Sequence, residues 1–311
     1  MYEVSLNTGR FVLQNLKDIE GYEPVDIFVS KNGVWHEYGY EKPPERIFKK
    51  LDGVWNAMHG NYGEDGTVQK ILEGLGTDYT GSKSLASSVA MNKILAKKLF
   101  DKFGIKTPVF VVVNKEESVH SAVEKIFSSI PFPVVIKPGS SGSSLGVSVA
   151  FNKQDVVSAL HKAFVYSPNV IAEEFIRGRE VTCGVIDDFR GENTYRLLPV
   201  EVVLPKNRIF YDFRAKYEDR GKEYFALGNL SEEEREKVKE LAAVAHTSMG
   251  LRHYSKSDFI VHPKRGVYLL EVNTLPPLGE KTSFVKSLES VGSNIKEFLH
   301  HTLDKALGKN K

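Results

Sequence analysis

The sequence predicts a mixed α/β (α+β) protein with two or three compact lobes. Short β-rich runs alternate with amphipathic helical stretches along the whole chain, which is typical of this class. The length of 311 residues corresponds to about two domains, and three small lobes would also fit. Hydrophobic residues make up 41% of the chain, which is enough for a sizeable core.

Composition and charge exclude several classes of protein. The formal net charge of +2 provides no strong field for nucleic acid or an anionic membrane. No run approaches the roughly 18 consecutive apolar residues of a membrane span. A single cysteine, Cys183, excludes an intramolecular disulfide and fits a reducing compartment. Because the first residues also lack a signal-peptide pattern, we expect a cytoplasmic protein whose partners are small molecules, not nucleic acid or membrane.

The amino-terminal segment, residues 1–83, predicts an open α/β lobe that lacks its first strand. Phe11, Val12 and Leu16 recur at helical spacing, and this helix leads into a strand at residues 25–29. Such a helix normally belongs to a strand–helix–strand unit, but no strand precedes it. We therefore expect that the true start lies upstream or that the lobe is trimmed.

A polar, glycine-rich loop at residues 59–66 follows a predicted strand at residues 54–58. Loops at the carboxyl ends of strands bind ligands in open α/β sheets. His59 is therefore a candidate ligand-binding residue. A loop histidine whose hydrogen bonds go to the backbone is the alternative interpretation.

An amphipathic helix is predicted over residues 84–103. Ser84 can cap its start, and Gly104 can end it. Three lysines lie along this helix. Lys93 is a candidate site residue, whereas Lys97 and Lys98 are interpreted as part of a solvated cationic face.

A loop rich in glycine and serine, residues 138–146, lies between two predicted strands; we call it the Gly/Ser loop. Its three glycines and four serines can present backbone N–H groups and hydroxyls to a phosphate. It is not a Walker A loop, because Lys137 precedes the glycines and a strand follows them. A mobile hairpin tip over a nucleotide is the functional interpretation, and an ordinary flexible loop is the alternative.

The carboxy-terminal half predicts a further sheet and a lid. Strands are expected at residues 169–176, 181–186 and 197–203. A long polar loop then runs to about residue 230, and long loops in compact domains are commonly lids. A capping box from Ser231 to Glu234 begins a helix that Gly250 ends. A last helix is expected over about residues 293–307.

The stretch that best indicates function is a β-hairpin after this helix. Two apolar runs are joined by a turn at residues 263–266. Glu271 and Asn273 point the same way because side chains alternate along a strand, and the hairpin register would bring Asp258 close to them. Two carboxylates and an amide oxygen suit Mg²⁺ better than zinc. The alternative is a polar strand end with three solvated side chains.

Seven motifs, taken in order, resemble those of the D-alanine–D-alanine ligases of the ATP-grasp superfamily. They are His-Gly-x-x-Gly-Glu-Asp-Gly (59–66), Met-Asn-Lys (91–93), Lys137-Pro with the Gly/Ser loop, Glu-Glu-Phe-Ile-x-Gly-x-Glu (173–180), Tyr-Asp-Phe-x-Ala-Lys-Tyr (211–217), Asp258-Phe, and Glu-Val-Asn-Thr (271–274). The resemblance covers essentially the whole chain. It implies a three-lobed ATP-grasp fold, with lobes at residues 1–83, 84–176 and 177–311 and ATP between the second and third.

The resemblance also implies a role for each matching residue. Those implied for ATP are Lys93 and Lys137 at the phosphates, Glu173, Phe175 and Ile176 at the adenine, Glu180 at the ribose, and Ser144 and Lys216 beside the nucleotide. Those implied for two Mg²⁺ ions, or Mn²⁺, are Asp258, Glu271 and Asn273. Those implied for substrates and catalysis are Glu3, His59 and Thr282 at the D-alanines, Ser143 as a positioning serine, Lys216 and Tyr217 in the lid, and Lys256 at the developing oxyanion.

The implied reaction joins two D-alanines for peptidoglycan synthesis. One carboxylate would attack the γ-phosphate of ATP to form an acyl phosphate, and a second amine would displace phosphate. Positioning and charge neutralisation by Mg²⁺ and lysines would do most of this work, and a closed lid would exclude water. Family members are commonly dimers, so the resemblance also implies a homodimer.

Four residues depart from the family pattern. Met1 stands where the family has a glutamate of the first D-alanine site. Lys256 replaces an arginine and keeps its charge without its fork geometry. Pro277 replaces a glycine whose backbone N–H completes the oxyanion hole, and proline has no N–H. Thr282 replaces a serine that holds the second substrate's carboxylate.

These departures leave two further hypotheses open. The first is an ATP-grasp carboxylate–amine ligase with a different acceptor. The second is a nucleotide-binding protein without catalytic activity. An acceptor panel and a phosphate-release assay would separate both from a D-alanine ligase.

Overall fold

The computed structural model describes residues 1–142, 144–203, 224–226 and 229–309. Helices and short strands alternate along it, which confirms the predicted mixed α/β (α+β) class. The helices are α1 Tyr2–Leu16, α2 Pro44–Phe48, α3 Thr67–Gly74, α4 Ser84–Met91, α5 Lys93–Lys102, α6 Val119–Ser129, α7 Lys153–Phe164, α8 Glu232–Ser248, α9 Ser283–Ser290 and α10 Ile295–Ala306. The strands are β1 Ile27–Val29, β2 Trp35–Glu37, β3 Tyr40–Glu41, β4 Phe110–Asn114, β5 Val134–Pro138, β6 Ser148–Ala150, β7 Asn169–Glu174, β8 Arg179–Phe189, β9 Glu192–Arg196, β10 Val200–Val203, β11 Tyr224–Ala226, β12 Tyr254–His262 and β13 Gly266–Asn273.

The strands form three sheets whose neighbours run antiparallel. The N-terminal sheet has the order β1-β2-β3, and the central sheet has the order β4-β7-β5-β6. The C-terminal sheet has the order β11-β10-β8-β12-β13, with β9 paired to β8. The central and C-terminal sheets carry most of the residues predicted to bind ATP and metal.

The prediction of a strand at residues 54–58 is wrong. Within this segment only Val54 forms a β-bridge, an isolated parallel one with Tyr79. Beyond it the chain bends. The side-chain oxygen of Asn56 accepts a hydrogen bond from the backbone N–H of Met58 at 3.0 Å, and asparagine commonly turns the backbone in this way. Within the described residues, the N-terminal lobe therefore has a small antiparallel sheet in place of an open parallel one.

The single helix expected over residues 84–103 is two helices, because Asn92 interrupts it. Asn92 has an extended backbone (φ −87°, ψ 100°), and its side chain accepts from two backbone N–H groups of α5. A capping asparagine begins a new helix in this way. Ser84 does not cap α4 as predicted, since its hydroxyl donates to Glu73. Gly104, with a φ of 69°, follows the end of α5 as predicted.

Separate hydrophobic cores cover the two larger sheets. Helices α6 and α7 pack on the central sheet. Helix α8 packs on the C-terminal sheet together with α4 and α5, whose Ala90 and Phe100 lie in the same core as β8, β12 and β13. Helices α4 and α5 thus contact the third predicted lobe, although the predicted boundaries assign them to the second.

The carboxy-terminal part confirms the predicted capping box and last helix, and it contains three elements that the sequence pattern did not predict. The capping box from Ser231 to Glu234 is present at the start of α8. Strands β9 and β11 and helix α9 were not predicted, because elements of 5, 3 and 8 residues give little periodicity. No helix among the described residues is long and apolar enough to cross a membrane.

The break at Asn92 generates a prediction about stability. Asn92→Ala removes the cap of α5 and should lower the free energy of unfolding by about 1 kcal/mol. Asn92→Asp keeps a capping oxygen and should lose much less. Urea unfolding of both variants would check this, and equal losses would contradict a capping role.

Candidate active site

The hairpin of β12 and β13 assembles the cluster predicted from the sequence. Asp258 lies directly opposite Glu271, and Lys256 lies opposite Asn273. The side-chain amide of Asn273 donates to Asp258 Oδ2 at 3.1 Å. The predicted hairpin is therefore confirmed, and its register brings the three oxygen-bearing side chains together.

This cluster has the donor chemistry that Mg²⁺ prefers. It offers two carboxylates and an amide, all hard oxygen ligands, whereas zinc would favour His or Cys. No group of three or more His, Cys, Asp or Glu side chains able to hold a metal occurs among the residues described. Because Mg²⁺ usually takes one or two protein carboxylates and shares its shell with water and phosphate, the cluster fits Mg²⁺ bound to a nucleotide.

Lys256 places a positive charge beside this cluster. Its Nζ lies 2.8 Å from Asp258 Oδ1 and 3.1 Å from Oδ2. The two residues share a face of β12 because they are two positions apart. Lys256 is thus held at the candidate metal-binding edge of the hairpin.

Lys93 joins the Gly/Ser loop to the hairpin. It is the first residue of α5, and its backbone N–H donates to Gly139 O at 2.8 Å. Its Nζ donates to Ser141 O at 2.6 Å and lies 3.4 Å from Glu271 Oε2. The start of α5 therefore brings together a lysine, the candidate phosphate-binding loop and a candidate metal ligand, where the helix N-terminus also favours an anion.

Glu173 lies between two lysines in the interior of the site. Its side chain is 1% exposed on β7, with Oε2 2.8 Å from Lys137 Nζ and Oε1 3.2 Å from Lys97 Nζ. The interpretation of Lys97 as solvated is wrong, whereas Lys98 is exposed as expected. Lys97 lies one helical turn after Lys93, on the same face of α5, and this face contacts β7.

The charges of Glu173, Lys137 and Lys97 influence the pKa of each of these side chains. Burial raises the pKa of Glu173, but the charges of Lys137 and Lys97 more than offset it and hold the pKa below its usual range. Burial also lowers the pKa of Lys137, which its pairing with Glu173 raises above the usual range. For Lys97, burial outweighs the partner charge and lowers the pKa to about 8. All three side chains are therefore charged at neutral pH.

The residues predicted to hold adenine and ribose lie where the chain passes from the central to the C-terminal sheet. Phe175 and Ile176 directly follow β7, and Glu180 lies near the start of β8. Ile176 is buried, and the other two are partly exposed. The backbone N–H of Phe175 donates to Pro133 O at 3.2 Å, which fixes this crossing to β5. Their contacts with a nucleotide stay predictions.

His59 uses both ring nitrogens within the protein. Nδ1 donates to Leu275 O at 3.0 Å, and Nε2 lies 2.8 Å from Thr8 Oγ1. The ring is buried, and this burial lowers the pKa of His59 to about 4. A cavity of about 1980 Å³ runs from the N-terminal lobe past His59 to Gly142. A contact with D-alanine stays a prediction, and the structure shows His59 as a fixed, neutral wall of this cavity.

The other two predicted substrate residues are Glu3 on α1 and Thr282 just before α9. Glu3 is exposed on α1, whereas Ser5 and Thr8 are the residues of α1 that contact the His59 segment. The hydroxyl of Thr282 donates to Gly279 O at 2.9 Å, within its own loop. Their proposed roles are not tested by these contacts.

Part of the predicted site lies outside the described residues. Ser143, Lys216 and Tyr217 belong to this part. Ser144 is described and adopts a φ of 57° within the Gly/Ser loop. This left-handed backbone is uncommon for residues other than glycine.

Three residues of the site were not predicted from the sequence. Lys97 could have been found from its four-residue spacing from Lys93. Glu64 lies in the 59–66 loop, and its buried carboxylate accepts a hydrogen bond from the backbone N–H of Gly60 at 2.5 Å. Burial raises the pKa of Glu64 to about 7. Thr8 offers no local signal, because its partners His59 and Leu278 are 51 and 270 residues away.

The buried neutral state of His59 predicts acid sensitivity. Its folded pKa of about 4 lies below its ordinary value of 6.5, so the unfolded chain binds more protons between these values. The stabilisation is complete above about pH 6.5 and falls as the pH drops towards 4, with roughly 2 kcal/mol lost at pH 5. Burial also raises the pKa of Glu64 to about 7, and this group contributes a gain of stability as the pH falls over the same range. The loss due to His59 is therefore the difference between the wild type and a His59 variant in urea unfolding at pH 7 and pH 5.

Matched variants isolate the contribution of His59 to this loss. His59→Asn cannot titrate and should show a smaller loss of stability between pH 7 and pH 5. The exposed His161→Asn should keep the wild-type loss. An unchanged pH dependence in His59→Asn would contradict the assignment.

Comparisons with known proteins agree with this geometry. The family model described as D-ala D-ala ligase C-terminus matches residues 99–304. A D-alanine–D-alanine ligase of Geobacter sulfurreducens is 38% identical over 274 residues, which are 88% of this chain and 80% of that protein.

Solved structures extend the agreement to the fold. D-alanyl-alanine synthetase A from Vibrio cholerae matches with a TM-score of 0.84 at 25% identity, over 98% of this chain and 94% of that one. The VanG D-Ala:D-Ser ligase from Enterococcus faecalis matches with a TM-score of 0.83 at 25% identity, over 98% and 95%. The predicted ATP-grasp fold is thereby confirmed, and the chain belongs to the D-alanine–D-alanine ligase family.

Proposed function

We propose that this protein uses ATP to join two D-alanines into D-alanyl-D-alanine for peptidoglycan synthesis. The observation that carries the proposal is the junction at Lys93, where the Gly/Ser loop and the carboxylate hairpin meet. A site for ATP phosphates and metal needs both elements in one place. Membership of the family, with a relative at 38% identity, supports the same activity.

The reaction begins with attack of one D-alanine carboxylate on the γ-phosphorus of ATP. The P–O bond to ADP breaks, and an acyl phosphate forms. The amine of the second D-alanine then attacks the acyl carbon, loses a proton, and phosphate leaves. Lys93 and Lys137 neutralise the triphosphate in this scheme, which is the main requirement of phosphoryl transfer.

Asp258, Glu271 and Asn273 would hold Mg²⁺ bound to the nucleotide. The metal would supply charge neutralisation at the phosphate oxygens. Lys256 contacts Asp258 in the structure. This lysine is close enough to the cluster to serve the oxyanion of the second step, as the family arginine is expected to do.

The remaining roles follow from the family resemblance. Those proposed at the nucleotide are Glu173, Phe175 and Ile176 for adenine, Glu180 for ribose, and Ser144 and Lys216 beside the phosphates. Those proposed at the D-alanines are Glu3, His59, Ser143, Tyr217 and Thr282. The division into lobes at residues 83 and 176, a homodimer and a cytoplasmic location are part of the same proposal.

A D-serine acceptor is the second candidate function. The VanG neighbour is a D-Ala:D-Ser ligase, and Pro277 and Thr282 depart from the family pattern where the second substrate is expected. A competition between D-alanine and D-serine, with the products identified by mass spectrometry, would decide between the two acceptors.

Phosphate release from MgATP with D-alanine tests the proposed activity. The wild type should release phosphate and form the dipeptide. Asp258→Asn removes a candidate metal ligand and should lower kcat/KM by about a hundredfold or more. MgATP binding without phosphate release on any acceptor would instead support a non-catalytic protein.

Ser257→Ala is the matched control for Asp258→Asn. Ser257 is the neighbouring residue on the other face of β12. Its buried hydroxyl has no hydrogen-bond partner in the described part of the chain, so its loss should change kcat/KM by less than about twofold. A comparable loss in both variants would indicate a general disturbance of the hairpin.

Replacement of Pro277 by a residue with a backbone N–H should increase activity. Leu275 O is held by His59 and Leu278 N by Thr8, so the loop is fixed on both sides of Pro277. Pro277→Ala adds the N–H expected in the oxyanion hole and should raise kcat by up to about a hundredfold. Pro277→Gly adds the same N–H with a freer backbone. Steady-state kinetics would check both, and unchanged or lower kcat in both would contradict an oxyanion role.

A further inference from the structure

Lys97 carries a charge in the interior of the protein. Its side chain is 1% exposed. Its Nζ lies 3.2 Å from Glu173 Oε1, donates to Thr107 Oγ1 at 2.5 Å, and lies 5.2 Å from the ring centre of Phe110. A buried ammonium is costly unless it is paired, so this arrangement calls for an explanation that the contacts with ATP do not supply.

Lys137 differs from Lys97 in its access to the cleft. Its side chain is 15% exposed, and that of Lys93 is 11% exposed. Lys137 is bound to Glu173 Oε2 at 2.8 Å. In the proposed function Lys137 contacts the ATP phosphates, which compete with Glu173 for the charge and the three N–H donors of its ammonium. Glu173, at 1% exposure, would then be a buried carboxylate with one cation fewer.

We propose that Lys97 is a positioning residue for ATP binding, which stays with Glu173 and allows Lys137 to exchange Glu173 for the ATP phosphates. This inference rests on the proposed function, since it needs Lys137 at the phosphates. It assigns Lys97 no contact with ATP, D-alanine or metal.

The geometry at Glu173 supports a permanent partner on one side and an exchanging partner on the other. Thr107 fixes Lys97 from behind. Glu173 Oε1 has no well-aligned hydrogen bond among the described residues, so its contact with Lys97 is one of charge. The same oxygen can accept a donor from a ligand while the ion pair persists. Oε2, by contrast, makes the hydrogen bond to the partly exposed lysine.

Lys97→Met tests the inference with MgATP as the probe. Without Lys97, release of Lys137 would leave Glu173 unpaired, so the MgATP dissociation constant should rise by about tenfold or more. Titration calorimetry without D-alanine measures this constant. The kcat at saturating ATP should stay within about threefold of the wild type, because Lys97 does not touch the reacting atoms. An unchanged dissociation constant would overturn the inference.

Two variants serve as controls for Lys97→Met. Lys98→Met removes an adjacent, exposed lysine of the same helix and should leave the dissociation constant unchanged. Lys97→Arg keeps the charge and should retain most of the wild-type affinity. A loss in Lys97→Arg as large as that in Lys97→Met would mean that shape rather than charge is required, and would contradict the proposal.

A double-mutant cycle with Glu173→Gln separates this role from simple packing. A neutral residue 173 needs no permanent cation, so Lys97→Met should weaken MgATP binding by less than about threefold in the Glu173→Gln protein. An equal loss in both backgrounds would overturn the proposal. The double variant also avoids a buried carboxylate that lacks a permanent cation, which keeps the test valid if Lys97→Met alone folds poorly.

Wild-type phosphate release with D-alanine is measured in parallel. Intact MgATP binding without phosphate release would contradict the proposed function alone, and the cycle would still decide the role of Lys97. Normal turnover combined with additive effects in the cycle would contradict only the inference about Lys97 and would leave the proposed function intact.

Discussion

The contact of Lys93 with both Ser141 O and Glu271 holds the candidate site together. Lys93 occupies this position because Asn92 ends one helix and caps the next. From that start, α5 carries Lys97 one turn further to Glu173. One helix therefore connects the candidate phosphate-binding loop, the candidate metal-binding hairpin and the predicted adenine pocket, and a shift of its first turn would disturb all three.

The antiparallel hairpin supplies the second fixed element. Its register sets Asp258 opposite Glu271 within one hairpin, and the first strand of this hairpin also pairs with β8. The substrate side of the site is built differently. Thr8 contacts both His59 and Leu278, so helix α1 ties the 59–66 loop to the segment around Pro277. Pro277, one of the four departures from the family pattern, thus lies in a segment whose position depends on long-range contacts.

Local features of the site could be predicted from the sequence, and long-range features could not. The hairpin follows from alternation and a turn, so Asp258 and Glu271 were placed correctly. Lys97 was interpreted as solvated because helical periodicity shows which residues share a face but not what that face contacts. The interruption at Asn92 was missed, since an asparagine inside an apolar pattern is compatible with a continuous helix until its side chain caps the next one. Thr8 acquires its partners only in the folded chain.

The transfer of oxygen from D-alanine to phosphate tests the central claim most directly. D-alanine labelled with ¹⁸O in its carboxyl group would be turned over with MgATP, and the released phosphate analysed by mass spectrometry. Carboxylate attack on the γ-phosphorus predicts one ¹⁸O atom in each phosphate, because the acyl C–O bond breaks when the amine attacks. Phosphate without the label would show that water attacks ATP, and would contradict a ligase that works through an acyl phosphate.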